Sequence, residues 1–212
     1  MKRVLFYTVY ERIWHWAQAL FVLVLLVTGF EIAYGQFFSV TGFSIAVTIH
    51  NIVGLVLVAN AFLALFYNIA SGLLHRYIPG MNDFLIRGFE HASYYAIGIF
   101  RGEPHPFDKT PEKRLLPLQK VTYFMILNVL LPLMTITGLL KWSARIDPRF
   151  IEMFGGLSLL GPIHRFGAWL FLSFLIGHVY MTTTGHTPLA NIMSMITGYE
   201  NVETASEEEQ TT

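Results

Sequence analysis

Apolar residues run almost unbroken over four stretches of the chain, at about 13–33, 43–74, 118–142 and 161–185. Each matches or exceeds the ~20 residues an α-helix needs to cross a hydrocarbon core. The first two are separated by a short polar turn, roughly 34–42. The second is long for one crossing and is expected to tilt or to project from the membrane. Pro132 falls inside the third and should kink it, which membrane helices tolerate. Between the second and third stretches the pattern breaks up, punctuated by Pro79-Gly80, Pro104, Pro106, Pro111 and Pro117. There, residues 84–100 are aromatic but interrupted by Arg87, Glu90 and His91, the mark of an amphipathic helix lying on the interface. Residues 143–160 carry Arg145, Asp147, Arg149 and Glu152 and read as a connection. The prediction is an all-α fold: a four-transmembrane-helix bundle over residues 1–200 with one interfacial helix. An acidic tail, 201–212, is expected to be disordered and simply solvated.

Composition sharpens this picture. Of 212 residues, 54% are hydrophobic and 13% charged, against roughly 25% charged in soluble domains. Little mass is left outside the lipid, and no nucleic-acid partner is expected. The absence of cysteine excludes disulfides, thiolate-held iron–sulfur clusters and covalent haem attachment. Basic residues precede the first apolar run as in a signal peptide, but the run is too long, carries Trp14-His15-Trp16 and lacks an A-x-A site, so it reads as a retained span. Ten of the fourteen lysines and arginines lie before the first span or between the second and third, and four lie around the third loop. By the positive-inside rule both termini are expected on the cytoplasmic side of an inner membrane.

Histidine placement supplies the candidate chemistry. His164 and His178 are fourteen residues apart in the last span, which on a helix is ~21 Å of rise with a return to within ~40° of one face. Ionisable side chains inside a membrane are costly and face the protein interior, where they serve a function. Alternating spans put His15 at the depth of His178, and His50 at the depth of His164. Two levels of paired imidazoles suit two stacked haems held between the helices. His75 is the main rival to His15. His186 lies beyond the haem level at the same surface, while His91 and His105 fall in the polar loop, where solvent exposure outweighs a functional role. Gly54, Gly167, Ala168 and Gly177 would make room for a porphyrin, although small residues also serve plain helix packing. The only acidic residue near a span interior is Glu31, which weakens proton-driven transporter and di-iron carboxylate readings.

This layout resembles the dihaem cytochrome b membrane subunits of respiratory formate dehydrogenases and nickel-iron hydrogenases, within the bacterial cytochrome b561 group. The segments YYAIGIFRGEPHPFD, LPLQKVTYFMILNVLLPLMTITGLL and HVYMTTTGHTPLANIMSMITGYE are similar to its thiosulfate-reductase branch. The resemblance implies two haems b, with His15 and His178 ligating the iron on the cytoplasmic side and His50 and His164 the outer one. Arg12 and Arg165 would meet propionates, Arg12 being also a candidate positive-inside anchor. A quinone site near the inner haem would draw on His91, Gln119, Tyr123 and Thr184, and menaquinone or ubiquinone would be the substrate. An extracytoplasmic iron–sulfur or multihaem subunit would be the partner, and catalysis beyond electron transfer would belong to that chain. Two rivals remain at this point: a self-contained quinol oxidase acting on a small acceptor such as superoxide, and a haem-free anchor or transporter.

Overall fold

The computed structural model describes residues 2–107, 115–185 and 187–202. Four helices among them are long and apolar enough to cross a membrane: α1 (Val9–Tyr34), α2 (Phe43–Ala70), α4 (Pro117–Ser143) and α6 (Gly156–Thr182). Between them lie the short helices α3 (Gly88–Ala96) and α5 (Pro148–Glu152), and after them α7 (Ala190–Thr197). The spans pack as two antiparallel hairpins, α1 on α2 and α4 on α6, which meet along a looser seam where α1 faces α6 and α2 faces α4. Most of each span's surface is left outward, as lipid contact requires.

Local chemistry sets where each span begins. Thr8 caps α1 in a reciprocal box: its hydroxyl accepts from the Glu11 N–H at 3.3 Å, and the Glu11 carboxylate accepts from the Thr8 N–H at 2.8 Å. The start of α2 has no such side chain, because its cap is Gly42 at φ 89°. Glu31 of α1 supplies the missing acceptor. Its carboxylate, 1% exposed, receives the N–H groups of Val40, Thr41 and Gly42 at 2.8, 2.8 and 2.6 Å and the hydroxyls of Ser39 and Thr41 at 3.1 Å each. The carboxylate near the end of the first span is therefore the cap of the next helix, two turns before His50.

Several boundaries differ from the sequence reading. The second span ends at Ala70, where Gly72 turns left-handed at φ 69° and a 3-10 turn, Leu73–Tyr77, follows. The last part of the expected stretch is thus a turn, and the helix itself has 28 residues. The fourth span begins at Gly156, five residues before 161, because the left-handed pair Gly155 and Gly156 ends the loop there. Pro162 lies inside this helix, where it costs an early turn one N–H bond. In α4 the disturbance from Pro132 takes the form of a π turn, Ile126–Leu130. The proline ring excludes the carbonyl four residues back, at Asn128, and the wider turn absorbs the lost bond.

The segment expected as an interfacial helix is helical: a π turn, Asp83–Arg87, continues into α3 and a 3-10 turn, Gly98–Arg101. Leu85, Ile86, Phe89 and Phe100 point outward, whereas Gly88 and His91 are buried. The chain is not wholly helical. Lys2–Leu5 (β1) pairs antiparallel with Tyr199–Val202 (β2), Leu5 opposite Tyr199. Strand β2 takes up the first two residues of the segment expected as a disordered tail; positions 203–212 lie outside the described residues. Phe6, 1% exposed, anchors the ribbon, and the N–H groups of Phe6 and Tyr7 both donate to the Gly198 carbonyl. Both described ends of the chain thus meet at one end of the bundle, here called the near end.

Candidate functional site

The seam between the hairpins brings four histidines together in two pairs. At the near end His15 of α1 faces His178 of α6 with ring centroids 6.1 Å apart. At the far end His50 of α2 faces His164 of α6 at 6.2 Å. All four rings are half-buried.

The far pair is held in one tautomer. The Thr28 hydroxyl donates to the Val24 carbonyl at 2.7 Å, so toward His50 Nδ1, 2.9 Å away, it can only accept. Thr137 repeats the arrangement, donating to the Leu133 carbonyl at 2.6 Å and accepting from His164 Nδ1 at 2.8 Å. Both imidazoles carry hydrogen on Nδ1 and keep the Nε2 lone pair free. Beside each threonine a glycine lets the ring approach: a Cβ would stand 3.0 Å from His50 at Gly29 and 3.4 Å from His164 at Gly138. The sequence reading missed these four residues. Their signal was present, since Val27-Thr28-Gly29-Phe30 and Ile136-Thr137-Gly138-Leu139 repeat one motif in the first and third spans.

The near pair is framed by aromatics. His178 stacks on Phe174 with centroids 5.6 Å apart, Phe174 meets Tyr123 edge-on at 6.3 Å, and His15 lies edge-on to Trp16. His15 Nδ1 is buried without a hydrogen-bond partner among the described residues. One turn from His15, Gln18 accepts a hydrogen bond from Asn60 of α2 at 2.8 Å, an intramembrane polar pair that sequence reasoning passed over.

Cations cluster near the far pair. Lys141 of α4, half-buried, acts electrostatically on both His50 and His164 and lies near exposed Arg165. Among the described residues the ion pair formed is Arg87 with Asp83, so neither Lys141 nor Arg165 is matched by a carboxylate. At the near end Arg12 donates from Nη1 to the Ile196 carbonyl, and its Nε is buried without a partner.

Other expectations need correction. His75 is exposed in the 3-10 turn, bonded through Nδ1 to the Gly72 carbonyl at 2.8 Å. Gly167 makes no room for a ligand; a Cβ there would strike the Met134 sulfur, so it serves close α4–α6 packing. The four suggested quinone-site residues have these surroundings. The Gln119 side chain caps α4 by accepting from the Leu116 N–H, and the Thr184 hydroxyl bonds the Met181 carbonyl. Tyr123 lies against Phe174, and His91 lies beside His105. His186 lies outside the described residues. His91, for which solvent exposure was expected, is 0% exposed, because α3 folds its ring beneath Tyr95, His105 and Phe107.

Burial, and then the neighbouring His105, push the His91 pKa down to about 4. A histidine kept neutral by the fold stabilises it fully above the unfolded value of about 6.5, and the contribution fades as pH falls toward 4. The thermal midpoint should therefore decline over that interval, and His91→Phe should flatten the decline in a melting series against pH.

Chemically, each level offers two convergent imidazoles, and no cluster of three or more ligating side chains exists among the described residues. Such a pair suits a metal whose remaining positions are filled by its own macrocycle. The spacing fits: nitrogens at about 2.0–2.1 Å from one metal, each about 1.1 Å ahead of its ring centroid, place the centroids about 6.2 Å apart. The uncompensated cations at the far end suit a carboxylate-bearing ligand.

Fold and site together define a four-span membrane cytochrome. The chain belongs to the prokaryotic cytochrome b561 family, whose model matches residues 7–198. It is also 32% identical, over 200 residues, to the Escherichia coli (strain K12) protein named "Putative cytochrome YdhU", a match covering 93% of this chain and 75% of that one. It is accordingly a multi-pass prokaryotic membrane protein with haem b as its cofactor and electron transfer as its activity.

Proposed function

We propose that this chain is the membrane subunit of a respiratory oxidoreductase, carrying electrons through two haems b between an extracytoplasmic redox subunit and the quinone pool. His15 and His178 would hold the haem at the near end, His50 and His164 the one at the far end. The observation that carries the reading is the pair of imidazole pairs, 6.1 and 6.2 Å across, at two depths on one helix. Haem supplies reversible one-electron chemistry at each level.

The chain's own residues do the rest. Thr28 and Thr137 fix hydrogen on Nδ1 of His50 and His164, which would leave each Nε2 free to hold an iron, and accepting from Nδ1 would make both rings stronger donors. Lys141 and Arg165 would neutralise propionates at the far end, as Arg12 would at the near end. By the positive-inside rule the near end would face the cytoplasm. Quinone would react there, next to His178, and an iron–sulfur or multihaem partner would dock at the opposite face.

The test is a pyridine haemochrome assay with a potentiometric titration of the detergent-purified chain. Two haems b per chain, titrating as two components, support the reading. A chain without haem overturns it in favour of an anchor or transporter, and superoxide:quinone activity from the isolated chain would favour the self-contained oxidase.

Thr28→Val and Thr137→Val should each raise the potential of the far-end haem alone. A tenfold weaker hold on the oxidised form corresponds to about 59 mV for a one-electron couple. The same titration reads it.

A further inference from the structure

The segment beside α3 holds two imidazoles that electron passage along the seam does not use. Nε2 of His91, wholly buried, lies 3.2 Å from Nε2 of His105, an exposed residue. At that separation one hydrogen is shared, and two arrangements satisfy the geometry. In the first, His91 Nε2–H donates to His105, which carries its own hydrogen on Nδ1 and donates it to the Phe107 carbonyl, 2.7 Å away. In the second, His105 Nε2–H donates to His91, and His105 Nδ1 accepts the Phe107 N–H at 3.2 Å. The backbone of one residue thus serves both tautomers of His105. His91 Nδ1, which carries hydrogen only in the second arrangement, is buried with no partner among the described residues.

Resting on the quinone reading above, we propose that His105 and His91 form a proton relay from solvent at the near end to a quinone oxygen at His91 Nδ1. As the quinone takes up an electron from the haem side, the Nδ1–H bond of His91 breaks and an O–H bond forms on the quinone. His91 Nε2 takes the proton of His105 Nε2, and His105 Nδ1 takes one from a hydronium or buffer acid. The pair passes from the second arrangement to the first, and one proton has crossed for one electron.

The surroundings suit this use. Tyr95, one turn after His91, accepts a hydrogen bond from the Tyr180 hydroxyl at its carbonyl, 2.8 Å, which seats the cluster on α6 beside His178. The Tyr95 hydroxyl lies 3.4 Å from His105 Nε2, and the Tyr94 ring 4.9 Å from the His105 ring. Arg87 stands 6.0 Å over the Phe107 ring. Glu90, Arg101 and Glu103 line an adjoining hollow of about 320 Å³, shared with Tyr94 and Pro106. From α4 the facing side chain is apolar Val121, 3.6 Å from a Cβ at Gly88. Because burial keeps His91 neutral near neutral pH, it passes a proton on instead of retaining it.

The test uses the haem-loaded chain, its His105→Ala and His105→Gln variants, and two probes, decylubiquinol and menadiol, with haem reduction followed by stopped flow from about pH 5.5 to 8.5. Haem content and dithionite reduction report folding. The relay predicts a loss of quinol-driven rate on the order of 10- to 100-fold in both variants with haem retained. Added imidazole should restore His105→Ala but not His105→Gln. Wild-type rates in either variant, or a loss that accompanies loss of haem and ignores imidazole, overturn the relay alone. A wild-type chain whose haem neither quinol reduces overturns the quinone reading together with it.

Discussion

His50→Ala and His164→Ala are each expected to lower haem content from about two per chain to about one, and to remove the same haem. His15→Ala and His178→Ala should remove the other. In the proposed arrangement each imidazole would supply half of the protein's hold on an iron, and its loss would leave the facing imidazole without a partner across a gap of 6.1 or 6.2 Å. Low-temperature difference spectra of the four variants sort them into pairs. The decisive comparison is within α6, where His164 and His178 share one helix but serve different levels. If both α6 variants lost the same haem, the pairing of levels would be wrong. His75→Ala should leave both haems in place, since that ring is exposed and bonded to its own turn.

A second large effect is expected from a residue that touches no cofactor. Glu31→Ala leaves three backbone N–H groups and two hydroxyls of the 39–42 turn without their acceptor, at the start of a helix whose cap, Gly42, has no side chain. Unpaired backbone donors at a helix start are costly, and the first turn of α2 should fray. His50 lies two turns along, so the far-end haem should be lost before the near-end one and the thermal midpoint should fall. Glu31→Gln keeps an acceptor oxygen and should give an intermediate loss. Melting followed at the Soret band with haem quantitation checks both, and equal loss of the two haems would show that the cap does not act through His50.

The physical basis of what could be read without coordinates is periodicity. Four apolar runs of spanning length, fourteen residues between His164 and His178, and the alternation of spans suffice to put His15 opposite His178 and His50 opposite His164 in depth, because helix rise is fixed at ~1.5 Å per residue. The face of each helix is a different matter. Which hydroxyl meets an imidazole depends on rotation of α1 against α2 and of α4 against α6, and the Thr-Gly repeat acquires meaning only once those hairpins are packed. His91 shows the same limit from the other direction. Its polar neighbourhood in sequence suggested solvent, while the fold of 83–107 back on itself buries it against a residue fourteen positions away.

What the amino-acid order determined alone is therefore local and periodic: the spans, the interfacial helix, the absence of thiol chemistry and the two histidine depths. What only the tertiary structure decided depends on contacts distant in the chain. The ribbon joining Lys2–Leu5 to Tyr199–Val202 is of this kind, since a four-residue strand has no stability before its partner arrives. So are the Glu31 cap, the fixed tautomers of His50 and His164, and the His91–His105 pair. Hydrogen bonds are short-ranged and directional, so their partners are settled only when packing has brought the groups within about 3 Å of one another.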